Sequence, residues 1–196
     1  QTGDYRGAIA ASLTYWHVTG TRPDEICVQA DLLVQLDQAR VETPSATVDT
    51  PYCRDAEPAS CYVASTTFVI PNTGGERDAA SASPPSAAEF RLDLPAEQSF
   101  FVASPLLDPQ SWGWGSDGVT FRVLVGGEAQ QPQLLSERYV TPNTQEWGDW
   151  LLPLSQRAGQ RIILRMETDP GPAGDFTGDW AGWGSPMIVS LCGGPH

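Results

Sequence analysis

Residues 118–125, GVTFRVLV, alternate with a period of two. Val119, Phe121, Val123 and Val125 fall on one side, and Thr120, Arg122 and Leu124 on the other. That is the repeat of an extended chain with one face buried, and no helix can present it. Residues 161–168, RIILRMET, repeat the pattern, with Ile162, Leu164 and Met166 opposite Arg161, Ile163 and Arg165. The runs FRLDL (90–94) and SFFVASP (99–105) flank a PAEQ turn, and QLLSERYV (133–140) follows a GGE turn. In DWLLPL (149–154), Trp150, Leu152 and Leu154 face together, and PMIVSLC (186–192) is the last apolar segment. Short strands joined by Gly/Pro turns, with no helical segments between them for parallel crossovers, predict an antiparallel β-sandwich. The 19 glycines and 17 prolines suit that turn-rich class.

The first part of the chain is less regular. CYVASTTFVI (61–70) is rich in β-branched and aromatic residues and predicts a strand. AIAASLTYWHVT (8–19) reads as a strand packing through Ile9, Leu13, Tyr15 and Val18. In ICVQADLLVQLDQARVE (26–42), Val28, Ala30 and Leu32 alternate, while Leu32, Leu33, Leu36 and Ala39 suit a helical face; the surroundings favour a strand. PNTGGERDAASASPPSAA (71–88) reads as a low-complexity loop. The chain is therefore expected to be one domain over 1–196: residues 1–70 add an N-terminal β extension, 71–88 form a loop, and 89–192 form the core.

A net charge of -13 excludes nucleic acid as a partner, because phosphates would be repelled. All 11 basic residues are arginine, which removes lysine Schiff-base and isopeptide chemistry. No apolar run approaches the roughly 18 residues of a membrane span. The chain opens on Gln1 rather than Met, which suggests a processed end. Four cysteines without a CxxC pair, beside only His17 and His196, suit disulfides in an exported protein better than a metal site. Three pairings are open. Cys53 and Cys61 bracket a short polar loop and close most easily, which leaves Cys27 for Cys192.

From about 90 to 191 the motifs follow a recognisable order. A strand ending in LP leads to a D-P-x-x-W loop, then SDGVTFRVLV and an Arg-Tyr strand. W-x5-P-L-S-x-x-A-G-Q, ETDPGPAGD and DWAGWGSP follow. This resembles carbohydrate-binding-module-like domains of the NPCBM and galactose-binding-like jelly-roll type, found on bacterial surface and secreted proteins. The resemblance implies two antiparallel sheets, no catalytic machinery, and glycan binding through loops at one end.

Indoles beside acids suit that role, since sugar C–H faces stack on aromatic rings and carboxylates accept from hydroxyls. The candidate ligand set is Trp112, Trp114, Asp117, Trp147, Asp175 and Trp183. Trp112 and Trp114, alternating with glycines in SWGWGSDG, are the expected exposed pair. Trp150 is expected in the core, and Asp179 with Trp180 is expected to lock the sandwich end. No cofactor is required. Oxygen-rich loops are nonetheless compatible with a structural Ca2+, for which Asp108, Asp169 and Asp179 are the candidate ligands; the competing role for such acids is capping turns. No carboxylate pair singles itself out for glycoside hydrolysis, and neither a G-x-S-x-G nor a phosphate loop is present. The functional expectation is a non-catalytic, extracellular or cell-surface glycan-binding module. The alternative is a structural subunit of an extracellular filament or envelope-associated assembly, through self-association or a protein partner.

Overall fold

We describe the chain from a computed structural model, over residues 5–19, 22–42, 47–48, 63–71 and 75–192. Among these residues one α-helix, α1 (Tyr5–Thr19), precedes twelve strands: β1 (Ile26–Asp31), β2 (Arg40–Glu42), β3 (Thr47–Val48), β4 (Val63–Ile70), β5 (Gly75–Ala82) and β6 (Ser86–Asp93). They continue as β7 (Ser99–Leu107), β8 (Val119–Gly127), β9 (Gln133–Val140), β10 (Trp150–Pro153), β11 (Arg161–Pro170) and β12 (Ala181–Leu191). The fold is all-β in its body, an antiparallel sandwich of two six-stranded sheets. The first sheet has the order β10-β7-β12-β5-β4, with β1 also paired to β12; the second has the order β3-β2-β6-β11-β8-β9. Strand β12 runs the length of β7 on one side, and on the other meets β5 through Gly182–Gly184 and β1 through Met187–Leu191.

The shared core lies between the sheets. Phe121, Val123, Leu164 and Met166 from the second sheet meet Phe101, Ala103, Trp150, Leu152, Trp183 and Ile188 from the first. Trp183 is its centre: Phe121 and Phe101 meet it edge-on at 4.9 and 6.3 Å, and Trp150 stacks on it at 6.2 Å. Offset and edge-on packing of this kind adds to the free energy of burying the rings themselves. Strands β8 and β11 alternate as expected, as does β10 with Trp150 and Leu152 inward.

Three early segments differ from expectation. Residues 8–19 lie in helix α1 rather than a strand. Ile9 and Leu13 are four apart and Trp16 three further on, so they share a helical face, and Ala8, Ala10 and Ala11 favour helix. That face packs on the outer side of the first sheet, against Phe100, Val102, Leu151, Met187 and Val189. Residues 26–42 are not one strand: β1 ends at Asp31, whose carboxylate accepts from the amides of Leu33 and Val34, and a short 3-10 turn at Leu36–Gln38 leads into β2. Leu32, Leu36 and Ala39 are buried there. Finally, the apparent loop 71–88 contains β5 and the start of β6. Its small residues reflect close packing: Ala79 and Ala80 are buried on opposite faces, and a side chain at the facing Gly182 would collide with Phe68 at 2.5 Å.

The Cys27–Cys192 disulfide is present and ties β1 to the end of β12. The expected Cys53–Cys61 pair lies outside the described residues. No helix among the described residues is long and apolar enough to cross a membrane.

Candidate functional site

Two loops cross between the sheets at one end of the sandwich. Residues 108–118 lead from β7 to β8, and residues 171–180 lead from β11 to β12. The first begins with Asp108, whose carboxylate accepts from Gln110 N at 2.9 Å and caps a 3-10 turn over Pro109–Ser111. Its own amide donates to Trp180 O at 2.6 Å, which staples the two loops together. The second loop needs its glycines. Gly178 has φ 69°, and a Cβ there would lie 3.1 Å from Trp114 Cβ. A Cβ on Gly171 would meet Asp117 Oδ1 and Gly118 O at 2.4 Å. Side chains at these positions would push the loops apart.

The joined loops present a corner of two indoles. Trp114 and Trp180 are 4.5 Å apart and nearly perpendicular, at 79°. They are 49% and 44% exposed. Phe176 from the second loop and Tyr139 from the end of β9 are also exposed. An aromatic corner kept in water is costly unless something covers it, and a pair held edge to face is already ordered for a flat apolar surface.

Acids lie beneath and beside the corner. Ser116 donates to Asp179 Oδ1 at 2.5 Å and its oxygen accepts from Gly118 N, while Asp117 Oδ2 accepts from Ala173 N at 2.7 Å. Tyr139 donates its hydroxyl to Asp117 O. Asp117 Oδ1 and Asp179 Oδ2 are buried and have no well-formed hydrogen-bond partner among the described residues. Burial pushes the Asp179 carboxyl above its ordinary range; the Ser116 hydrogen bond and, more weakly, the Gly171 backbone amide oppose this, and the charges of Asp117 and Asp175 push the same way as burial. Desolvation and the charges of Asp117 and Asp179 raise the Tyr139 hydroxyl as well. The rim is thus aromatic and electronegative, rich in hydrogen-bond acceptors.

The expected residues separate into two groups. Trp114, Asp117 and Asp175 belong to the rim; Asp175 is exposed and accepts from Thr177 N at 2.8 Å. Trp112 does not present its ring: it is half-buried, donates Nε1 to Leu107 O at 3.0 Å, and packs on the core. Trp147 folds onto the outer face of the first sheet beneath Arg77, whose guanidinium lies 4.9 Å from the ring centroid. A Cβ on Gly184 would meet it at 2.5 Å. Trp183, a candidate ligand residue, is 1% exposed and cannot touch a surface ligand. Asp179 is buried as expected, but Trp180 beside it faces solvent rather than locking the end.

The proposed cation set also separates. Asp108 caps its turn, Asp169 pairs with Arg122, and Asp179 is held by Ser116. No group of three or more His, Cys, Asp or Glu side chains placed to hold a metal ion forms among the described residues.

Sequence reasoning placed none of Trp180, Phe176, Tyr139 and Ser116 in the ligand set. For two of them a signal existed. Carrying the period of two back from inward Trp183 through Ala181 puts Trp180 outside, and inward Val140 puts Tyr139 outside. Phe176 and Ser116 sit in irregular loops where no period applies.

No protein-family model matches the chain. An uncharacterized protein of Archaeoglobus fulgidus is 36% identical over 105 residues, which are 51% of this chain and 25% of that protein. The chain thus spans about a quarter of that relative's length. Among solved structures, a family 51 carbohydrate-binding module from Clostridium perfringens, in complex with methyl-galactose, is similar with a TM-score of 0.48 and 11% identity, over 89% of this chain and 98% of that one. A family 22 carbohydrate-binding module from Clostridium thermocellum is similar with a TM-score of 0.48 and 12% identity, over 89% and 100%.

Proposed function

We propose that this chain is a non-catalytic glycan-binding module that acts outside the cytoplasm and holds its ligand at the rim. The observation that carries the reading is the exposed Trp114–Trp180 corner, built by two interlocked loops and surrounded by hydrogen-bond acceptors. A pyranose lays its C–H face on one indole and its edge on the other. Its hydroxyls donate to Asp175 and exchange hydrogen bonds with the Tyr139 hydroxyl. The electronegative surround favours neutral sugars over acidic ones. The Cys27–Cys192 bridge supports an oxidising compartment.

A panel of neutral polysaccharides and oligosaccharides, titrated by calorimetry, tests this. Binding to at least one is expected, with Trp114→Ala and Trp180→Ala each weakening it about tenfold, the scale of a lost aromatic platform. Binding that survives both substitutions places the ligand elsewhere. A lack of binding across the panel ends the proposal. Native mass measured on the same material separates a discrete module from a subunit of an extracellular polymer.

A further inference from the structure

The outer face of the second sheet carries a ladder of cross-strand ion pairs between β6 and β11. Arg161 opposes Asp93 and bonds both its carboxylate oxygens at 2.7 and 2.9 Å. Arg165 opposes Glu89, 3.9 Å away, and also reaches Glu42 and Glu167. Between these two rungs stands Arg91, whose partner in register is Ile163. Among the described residues Arg91 has no acidic partner, although the chain holds 24 acids against 11 bases. The two acids that flank it in its own strand, Glu89 and Asp93, are turned to Arg165 and Arg161.

Arg91 lines a cavity of about 400 Å3, together with Gln35, Gln38, Arg40, Glu89 and Phe90. The topology explains the space. Strand β2 pairs with β6 only from Arg40 opposite Glu89, and the chain before it turns away through the 3-10 turn at Leu36–Gln38. The edge of β6 at Phe90 and Arg91 therefore has no β2 partner, and the Phe90 ring is buried in the core. The lining residues carry between them two carboxamides, two guanidiniums and one carboxylate, which lies 3.9 Å from Arg165. It lies away from the rim, because β6 runs from Ser86, opposite Thr168, to Asp93, opposite Arg161. Its volume falls within the roughly 300–1,000 Å3 of small-molecule sites.

We propose that this cavity is a second binding site, and that it takes a carboxylate-bearing sugar of the hexuronate class. The guanidinium fork of Arg91 holds the sugar carboxylate through two parallel hydrogen bonds, and Arg40, 3.6 Å from Glu42, supplies a second guanidinium at the margin. The Gln35 and Gln38 amides, which both donate and accept, take the ring hydroxyls. The lining carries two arginines against one glutamate, unlike the acidic rim, and the proposal does not depend on the rim reading.

Calorimetric titration of the full chain with sodium glucuronate, glucose and sodium sulfate, at low and equal ionic strength, tests it. Glucuronate binding is expected to be at least about tenfold tighter than that of glucose or sulfate, as a charge-assisted pair requires. Arg91→Gln should lose at least about tenfold in glucuronate affinity with an unchanged melting temperature, and Trp114→Ala should leave that affinity as it is. Equal binding of glucose, equal binding of sulfate, an unaffected Arg91→Gln variant, or no glucuronate binding overturns the proposal. Should Arg91→Gln fail to fold, NMR shift mapping on the unaltered chain decides: perturbation centred on Arg91 and Gln38 supports the site, and perturbation elsewhere refutes it.

Discussion

Strand β7 is buried at every position from Ser99 to Leu107, whereas β8, the next strand in the chain, alternates buried and half-buried residues. The contrast extends to the two sheets. The first sheet is covered on both sides: its inner face meets the shared core, and its outer face lies under α1 and under Trp112 and Trp147. The polar groups on that outer face are closed into a network, with Arg77 and Ser104 both donating to Asp149 at 2.7 and 2.6 Å. The second sheet has one covered face, and its other face is a solvated ladder of arginines and acids. The two sheets are therefore held by different forces. Dispersion and hydrophobic burial act on both sides of one, while among the described residues the open side of the other is dominated by charge pairs.

The largest effect should come from a matched pair of truncations on the two outer faces. Phe100 is 1% exposed, in the cluster under α1. Phe100→Ala should cost about 3–5 kcal/mol, the usual range for a buried phenyl ring. Leu134 projects from β9 on the open face and is 55% exposed, so Leu134→Ala should fall within about 0.5 kcal/mol. Denaturant unfolding of both variants measures the difference. Equal costs would mean that α1 does not seal the first sheet.

The same contrast explains what was legible in the sequence. A strand with one wet face writes a period of two, so β8 and β11 could be read from Val119–Val125 and Ile162–Met166 down to which side chains point inward. A sheet covered on both faces writes no such period. SFFVASPLL announces a strand but not its inward side, and the alanines of β5 look like linker because Gly182 and Phe68 leave no room for larger residues. Helix α1 was misread for a related reason. Its buried stripe is narrow, and Ile9 and Leu13 fit even spacing as well as a helical face. The rim was half legible. Composition located an aromatic, acidic loop pair, but which indole faces out depends on how two loops far apart in sequence interlock.

A smaller effect should appear on the open face as pH is varied. Arg165 sits among Glu42, Glu89 and Glu167. The Glu42 carboxyl is lowered, first by its hydrogen bond from Arg165 and further by the charges of Arg165 and Arg40, against the opposing cost of burial. A carboxylate lowered in the folded state adds stability above its unfolded pKa, and that contribution is lost as pH falls through the folded value. Arg165→Gln removes the cation and leaves the acids to repel one another. It should cost about 1 kcal/mol at neutral pH, a magnitude limited by solvent screening. The deficit should shrink on acidification into the carboxylate range and with added salt. A deficit constant with pH would mean that Arg165 acts through the packing of its stem.

The smallest effect concerns the rim, where both crossing loops join the two sheets. Asp179 is an acid 2% exposed, with one oxygen bonded to Ser116 and only a weaker approach from the Gly171 backbone amide to offset its burial. Its folded pKa is raised, so the sign is opposite to that of Glu42: its contribution is fully favourable below the unfolded pKa and declines as pH rises through the folded value. At neutral pH the buried charge works against the loop junction. Asp179→Asn keeps an acceptor for Ser116 and removes that charge. It should leave stability unchanged or raise it by up to about 1 kcal/mol at pH 7, with no gain at pH 4, read as melting temperature across that range. A marked loss at pH 7 would show that the carboxylate is engaged by a positive partner. The rim would then be held by charge, as the open sheet face is, rather than by the close packing that holds the covered sheet.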